Sequence, residues 1–334
     1  MEPLLPDRHP NYDLFICDVL DAIPKDDMAS MEHPVFSLST KPDMRYLRYE
    51  HNGNTLEIIP SGIGLATVHD KDVLIYCASQ IIAKMREGEI PARTVKLKAY
   101  DLLVFSNRQT SGEGYRKLKA GLDRLRGTTI KTNIRTNGIK VTEGFGLIDR
   151  YKIVERSSVN ERMIAIEITL SDWFFNAIKA YEVLTLHRNY FRLRKPVERR
   201  IYELARKHCG SYEKWTVRLE VLKAKIGTTA PLKKFRFKVR KLVEMNHLPD
   251  YKISLLDDVV IFTSRRTNAR EGNVHLPRLP PETFEKAKRA APGWDVYQLE
   301  SEWREWIAKK GNPEKPGPAF IAFCRKKYQR GGRP

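Results

Sequence analysis

The chain reads as an α+β protein: two tandem winged-helix units, an N-terminal arm with a β-hairpin, and a small helical C-terminal tail. Three observations predict this. An order of helix, short helix, turn, helix and strands runs from residue 70 to 170 and returns from residue 195 to 263. The third helix of each run pairs an apolar stripe with a cationic face. The excess positive charge is concentrated rather than spread. With 334 residues the chain is long enough for two to three domains. The expected boundaries are 1–66 for the arm and hairpin, 67–184 and 185–265 for the two units, and 266–334 for a Pro-rich linker and basic tail.

Residues 1–34 are acidic and Pro-containing and predict an extended arm. Arg45 to His51 and Thr55 to Pro60 flank Asn52-Gly53-Asn54, and Asn-Gly supplies the positive φ angles of a tight hairpin. Ser61 to Ala66 is a Gly-containing loop. Asp70 to Glu87 predicts the first helix, through a mostly apolar stripe of Val73, Tyr76/Cys77, Gln80/Ile81 and Lys84/Met85. Lys98 to Asn107 predicts a short helix, Arg108 to Gly114 a turn, and Tyr115 to Arg126 a helix with Tyr115, Leu118, Leu122 and Leu125 on one face. Strands are expected at Thr128 to Arg135, Gly146 to Glu155 and Met163 to Leu170. Ser171 to Leu193 reads as helical and aromatic.

In the second run Lys195 to His208 predicts a helix, with Pro196 near its start where a missing N–H costs nothing. Val217 to Ile226 is a shorter helix ending at Gly227, Thr228 to Pro231 a turn, and Leu232 to Met245 the third helix. Tyr251 to Leu256 and Val259 to Thr263 are strands joined near Asp257-Asp258. Beyond Arg265, prolines punctuate the chain and two helices are expected, Val296 to Lys309 and Ala319 to Tyr328.

Lys plus Arg is 60 against 41 Asp plus Glu, a net charge of +19, which points to an anionic partner. Residues 1–70 carry 5 cationic and 12 anionic side chains, whereas residues 185–247 carry 18 and 5. On the wheel of Leu232 to Met245, Leu232, Phe235, Val239, Leu242 and Val243 form the core stripe. Lys233, Lys234, Phe237, Lys238, Arg240 and Lys241 cover most of the rest. A helix with that face suits the major groove of duplex DNA: cations neutralise phosphates, Arg is bidentate to guanine, and a ring meets a thymine methyl. Opposite the stripe of the Tyr115 helix lie Arg116, Lys117, Ala120 and Arg124, and Arg108 precedes it as a phosphate candidate. Lys131, Arg135 and Lys140, near Asn137-Gly138, and Arg192, Arg194, Lys195 and Arg199, at the start of the second unit, are weaker phosphate candidates.

Chemistry is absent from the pattern. There is no G-x-x-x-x-G-K-[S/T], and no His-x-His pair of a nicking enzyme. The four cysteines, Cys17, Cys77, Cys209 and Cys324, are far apart, which fits a reducing cytoplasm rather than a disulfide framework or zinc knuckle. His208-Cys209 reads as a helix-end histidine beside a buried thiol. No apolar run reaches membrane-span length, and the N-terminus lacks the apolar core of a signal peptide. The expectation is a non-enzymatic, cytoplasmic DNA-binding protein with no catalytic residue, metal or cofactor. A nickase or primase is the enzymatic alternative, which the missing motifs disfavour.

Two stretches carry a family resemblance. Met28-Ala-Ser-Met-Glu-His-Pro-Val-Phe-Ser-Leu38 and Pro60-Ser-Gly-Ile-Gly-Leu-Ala-Thr-Val-His-Asp-Lys-Asp-Val-Leu-Ile-Tyr76 resemble plasmid replication initiator protein A. Arg199-Arg-Ile-Tyr-Glu-Leu-Ala-Arg206 is similar to the first helix of the second winged helix in iteron-binding initiators. The resemblance covers roughly residues 12–265, and Ala319 to Lys327 is similar to the C-terminal end of some of these initiators. It implies two winged helices that bind direct DNA repeats (iterons) at an origin. It also implies recruitment of a host initiator, a helicase and its loader, with origin melting by binding rather than ATP hydrolysis. Monomers would bind iterons and homodimers would repress the initiator's own gene. A tandem winged-helix transcriptional regulator is the alternative, with an inverted promoter site and no need for the tail.

Overall fold

The computed structural model describes residues 3–10, 17–18, 34–51, 54–86, 88–132, 135–136, 139–140, 142–155, 163–179, 184–209, 213–265, 279–292, 294, 296–310 and 313–331. β1 (Cys17–Asp18), β2 (Leu47–His51) and β3 (Asn54–Ile59) come first. α1 (Lys71–Arg86), β4 (Thr94–Lys98), α2 (Ala99–Phe105) and α3 (Gly112–Gly127) follow. Then come β5 (Thr129–Thr132), β6 (Arg135–Thr136), β7 (Ile139–Lys140), β8 (Glu143–Gly146), β9 (Ile148–Glu155) and β10 (Met163–Leu170). α4 (Asp172–Lys179), β11 (Leu184–Thr185) and a 3-10 turn (Arg188–Arg192) lead into the second unit. That unit comprises α5 (Pro196–Cys209), β12 (Lys214–Arg218), α6 (Leu219–Ile226), α7 (Leu232–Met245), β13 (Tyr251–Leu256) and β14 (Val259–Ser264). α8 (Pro281–Ala290), α9 (Val296–Lys310) and α10 (Pro316–Gly331) form the tail.

The two units share one topology. The first has antiparallel sheet order β4-β10-β9 and the second β12-β14-β13, each closing on the strand that precedes the short second helix. This is the winged-helix order expected from the sequence, with a strand added to each unit. β4 and β12 are short and run straight into α2 and α6, so Lys98 and Val217, expected to open helices, belong to strands. Five residues are too few to establish a period of two, and only pairing with β10 and β14 declares them.

The β2–β3 hairpin is not a free appendage. β3 pairs with β5, giving a four-stranded sheet β2-β3-β5-β8 that packs into the same apolar core as the first unit. The Asn52-Gly53 turn, the Asn137-Gly138 turn between β6 and β7, and the tip at residues 156–162 lie outside the described residues. So does most of the 1–34 arm, apart from residues 3–10, 17–18 and 34. Among the described residues of the segment expected to be helical between the units, only Asp172–Lys179 is α-helix. Tyr190, Phe191 and Leu193 of the remainder are buried, and Phe191 packs on Phe105 with ring centroids 4.9 Å apart.

One apolar core runs through both units, from Val35 to Phe262, and the tail has its own, built on Leu299, Trp303, Ile307 and Phe320. The tail contains a helix that the sequence reading omitted, α8, because Pro280-Pro281 reads as punctuation. Pro281 instead opens the helix, where its fixed φ fits and its missing N–H is not needed. Cys77, Cys209 and Cys324 are buried thiols, and burial pushes them up to about 12, 11 and 12. His208 stacks on Trp215. Among the described residues no group of His, Cys, Asp and Glu is placed to hold a metal ion. Among the described residues no helix is long and apolar enough to cross a membrane.

Gly227 ends α6 at φ +74°, and a Cβ there would lie 1.9 Å from Cγ of Pro34. Gly227→Ala therefore combines a left-handed backbone penalty with a clash. It is expected to cost about 2–4 kcal/mol, read as a lower urea midpoint at unchanged m-value.

Candidate nucleic-acid interface

α7 is held by its apolar stripe and leaves its cationic face to solvent. Phe235, Val239 and Leu242 are buried, each worth about 1.5–3 kcal/mol. Asn246, in the left-handed conformation, ends the helix, and Arg265 donates to its backbone and side-chain oxygens at 2.5 and 2.9 Å. Lys233, Lys234, Lys238, Arg240 and Lys241 are exposed, and Phe237 keeps 61% of its surface. The four lysines make no ion pair among the described residues, and the Lys241 ammonium lies 5.3 Å from the Phe237 ring centroid. An exposed ring under a cation, flanked by unpaired lysines, offers one apolar and several cationic contacts to a groove.

Arg236, absent from the sequence-derived set, flanks this face toward the β13–β14 turn. Its guanidinium grips Asp258 through two bonds of 2.7 and 2.5 Å. That bond holds the Asp258 carboxyl below its usual range. Asp257 and Asp258 sit at φ +46° and +59°, so two aspartates form the whole hairpin turn. Asx residues tolerate this backbone, and the second of them ties the strand hairpin to α7. Tyr151 of β9 ties to Asp123 of α3 by a hydroxyl–carboxylate bond, the counterpart in the first unit.

α3 is more nearly a structural helix than its wheel suggested. Arg116 and Lys117 are 79% and 71% exposed, and both pair with Glu113, whose carboxyl Lys117 and then Arg116 hold below its ordinary value. Arg124, expected on the outer face, turns inward and grips Asp70 at 2.7 and 2.8 Å. The reason is Gly121, one turn earlier. A Cβ there would lie 2.7 Å from Oδ1 of Asp70, so its absence admits the carboxylate that captures Arg124. Arg108 is likewise drawn inward, to Asp72 at 3.0 Å and to the His69 carbonyl. Beside it a cleft of about 410 Å³ opens at the start of α3, lined by Arg8, His9, Arg108, Gln109, Thr110 and Ser111.

The residues at the start of the second unit divide in the same way. Arg194 is exposed. Lys195 bonds the buried Glu198 at 2.8 Å. Burial pushes that carboxyl up, but bonds from His247 and Lys195 outweigh it and hold it below its ordinary value. Arg192 donates to the Leu5 carbonyl at 2.7 Å, and Arg199 is 3% exposed and bound to Asp72. Lys131 is half exposed and pairs with Glu57 at 3.5 Å. The side chains of Arg135 and Lys140 lie outside the described residues. The structure thus gathers Lys233, Lys234, Phe237, Lys238, Arg240 and Lys241 on one surface and Arg116 and Lys117 on another. It sets Arg108 and Arg124 into the fold. Alternating sign along a sequence cannot separate these cases, because the capturing carboxylates Asp70 and Asp72 lie at least 36 residues away.

Comparison with known proteins agrees with this architecture. A putative replication protein of Wigglesworthia glossinidia brevipalpis is 36% identical over 245 residues, covering 72% of this chain and 89% of that protein. Domains 2–3 of RctB share the fold, with a TM-score of 0.51 at 12% identity over 72% of this chain and 98% of that one. The crystal structure of Pi initiator protein in complex with iteron DNA aligns over 59% of this chain and 93% of that one, at 15% identity and a TM-score of 0.38. The model of the family described as replication initiator protein A matches residues 25–253. That span includes both signature stretches together with α3 and α7, and the chain belongs to the replication initiator protein A family.

Proposed function

We propose that this protein starts plasmid replication by binding direct repeats at an origin, with α7 seated in the major groove. The observation that carries the reading is the α7 face. Four lysines with no ion pair among the described residues and an exposed phenylalanine stand on a helix whose other side is anchored in a winged-helix core. The exposed ring among cations offers a groove one apolar contact, and a base edge with a thymine methyl has the matching chemistry. α3, through Arg116 and Lys117, makes the second contact, and Arg194 adds a phosphate contact between the units.

The chain acts on DNA by binding, without a catalytic residue or cofactor, in the bacterial cytoplasm. Monomers occupy the repeats, and dimers repress the protein's own gene. Host initiator, helicase and loader assemble on the bound array. The segments divide the work as arm and hairpin (1–66), first reading unit (67–184), second reading unit (185–265) and tail (266–334).

Footprinting on DNA flanking the gene tests this reading. Protection of tandem repeats about two helical turns apart, with salt-steep affinity, is the expected result. No protected array would overturn it. Within α7 the roles separate. Lys234→Ala weakens binding to specific and random duplex alike, whereas Phe237→Ala and Arg240→Ala lose about 1–3 kcal/mol on the specific site only. Equal losses on both duplexes for all three variants would mean that this face grips backbone alone.

A further inference from the structure

Charges are rarely buried, yet a chain of them lies buried where the two units meet. Three consecutive residues at the start of α1 reach three different places. Asp70 grips Arg124 of α3. Lys71, 2% exposed, pairs at 3.2 Å with Glu203 of α5, which is 1% exposed. Asp72, also 1% exposed, accepts from Arg199 of α5 at 2.7 Å and from Arg108 of the α2–α3 turn at 3.0 Å. The first reading helix and the first helix of the second unit are therefore both tied to one helix end.

We propose that Asp70-Lys71-Asp72 is a positioning cluster that fixes the separation and angle of the two reading helices, and so sets the half-site spacing the protein accepts on DNA. This rests on the DNA-binding reading above. The apolar seam around it, including Phe36, Phe105 and Phe191, holds the units together but is non-directional. The guanidinium of Arg199 is directional. Besides Asp72 it donates to the carbonyls of Leu193 and Phe191 at 3.0 and 3.1 Å, which fixes the inter-unit linker. The N-terminal strap adds a second fastening. Asn107, beside Arg108, donates to the Pro6 carbonyl at 3.0 Å, and Leu5 donates to the Arg192 carbonyl at 2.8 Å. Burying ions stabilises little overall, and a fixed geometry is what such a cluster supplies that an apolar contact does not.

The consequence is readable on DNA. One inserted base pair moves the second half-site by about 3.4 Å and turns it by about 35°. A rigid pair of units cannot follow that movement, whereas a hinged pair can.

The test selects a two-part site from a random duplex pool with the full wild-type chain, then inserts one, two or five base pairs between its halves. The wild type is expected to lose about tenfold or more in affinity for one insertion. The double variant Asp72→Asn with Arg199→Met removes the fully buried pair together and leaves Arg108, whose side chain is 19% exposed, with the His69 carbonyl as its acceptor. It is expected to bind a single half-site as the wild type does, but to lose less than about threefold for the same insertion, on the same scale of mismatch costs. Asp70→Asn with Arg124→Met, which removes both members of the pair that ties α3 to the cluster, is a second variant in case the first does not fold. A folded variant with the wild-type spacing profile would overturn the positioning role and leave the DNA reading intact. Failure of the wild type to select any two-part site would overturn both.

Discussion

Glutamine in place of Lys233, Lys234, Lys238 and Lys241 is expected to lower affinity for duplex DNA about a thousandfold at about 0.1 M salt. Each phosphate neutralised contributes about 0.9 to the slope of log affinity against log salt, so losing four contacts makes the slope shallower by about 3.6. The fold should survive. All four side chains are exposed and unpaired among the described residues, while Phe235, Val239 and Leu242, which anchor the helix, stay in place. Fluorescence anisotropy across a salt series reads the slope, and a thermal melt checks the fold. A variant that melts like the wild type and keeps its slope would remove α7 from the interface.

Acid is expected to destabilise the protein well above the carboxylate range, through His69. Burial, then the guanidiniums of Arg199 and Arg108, push its pKa down to about 2. Protonation would set a third cation beside those two guanidiniums. In the unfolded chain the same imidazole titrates near about 6.5. Below that pH the unfolded state therefore holds a proton that the folded state does not. Stability then falls by about 1.4 kcal/mol per pH unit, or about 2 kcal/mol between about pH 6.5 and 5. Urea unfolding across this range reads the slope. His69→Gln should flatten it, and a variant as acid-sensitive as the wild type would place the effect elsewhere.

Where a feature rests on neighbours in sequence, it was legible. The bounds of α7 are those of its apolar stripe, Leu232 to Met245, because that stripe is the contact that holds the helix. The β13–β14 hairpin follows from two alternating runs around two aspartates able to take positive φ. Where a feature rests on distant partners, the sequence misled. Arg124 occupies a polar position on the wheel of α3, but Gly121 makes room there for Asp70. Arg108 reads as a turn cation until Asp72 is folded beside it. Lys98 of β4 and Val217 of β12 read as the first residues of helices until β10 and β14 pair with those strands.

The stretches that carried the family resemblance show the same limit. Pro34-Val35-Phe36 and His69-Asp70-Lys71-Asp72 were identifiable as a signature, yet nothing local states what they do. In the structure Pro34 lies against the α6 end at Gly227, Lys71 sits 5.9 Å over the Phe36 ring, and Asp72 holds Arg199. They are the seam between the units. By itself the sequence determined the class of fold, the order of its elements and the helix with the free cationic face. Those follow from periodicity and from charge on a single helix. Only the tertiary structure decided which cations face solvent and which are set into the seam. An arginine's environment is set by the carboxylate folded against it, and here those partners lie up to 127 residues apart.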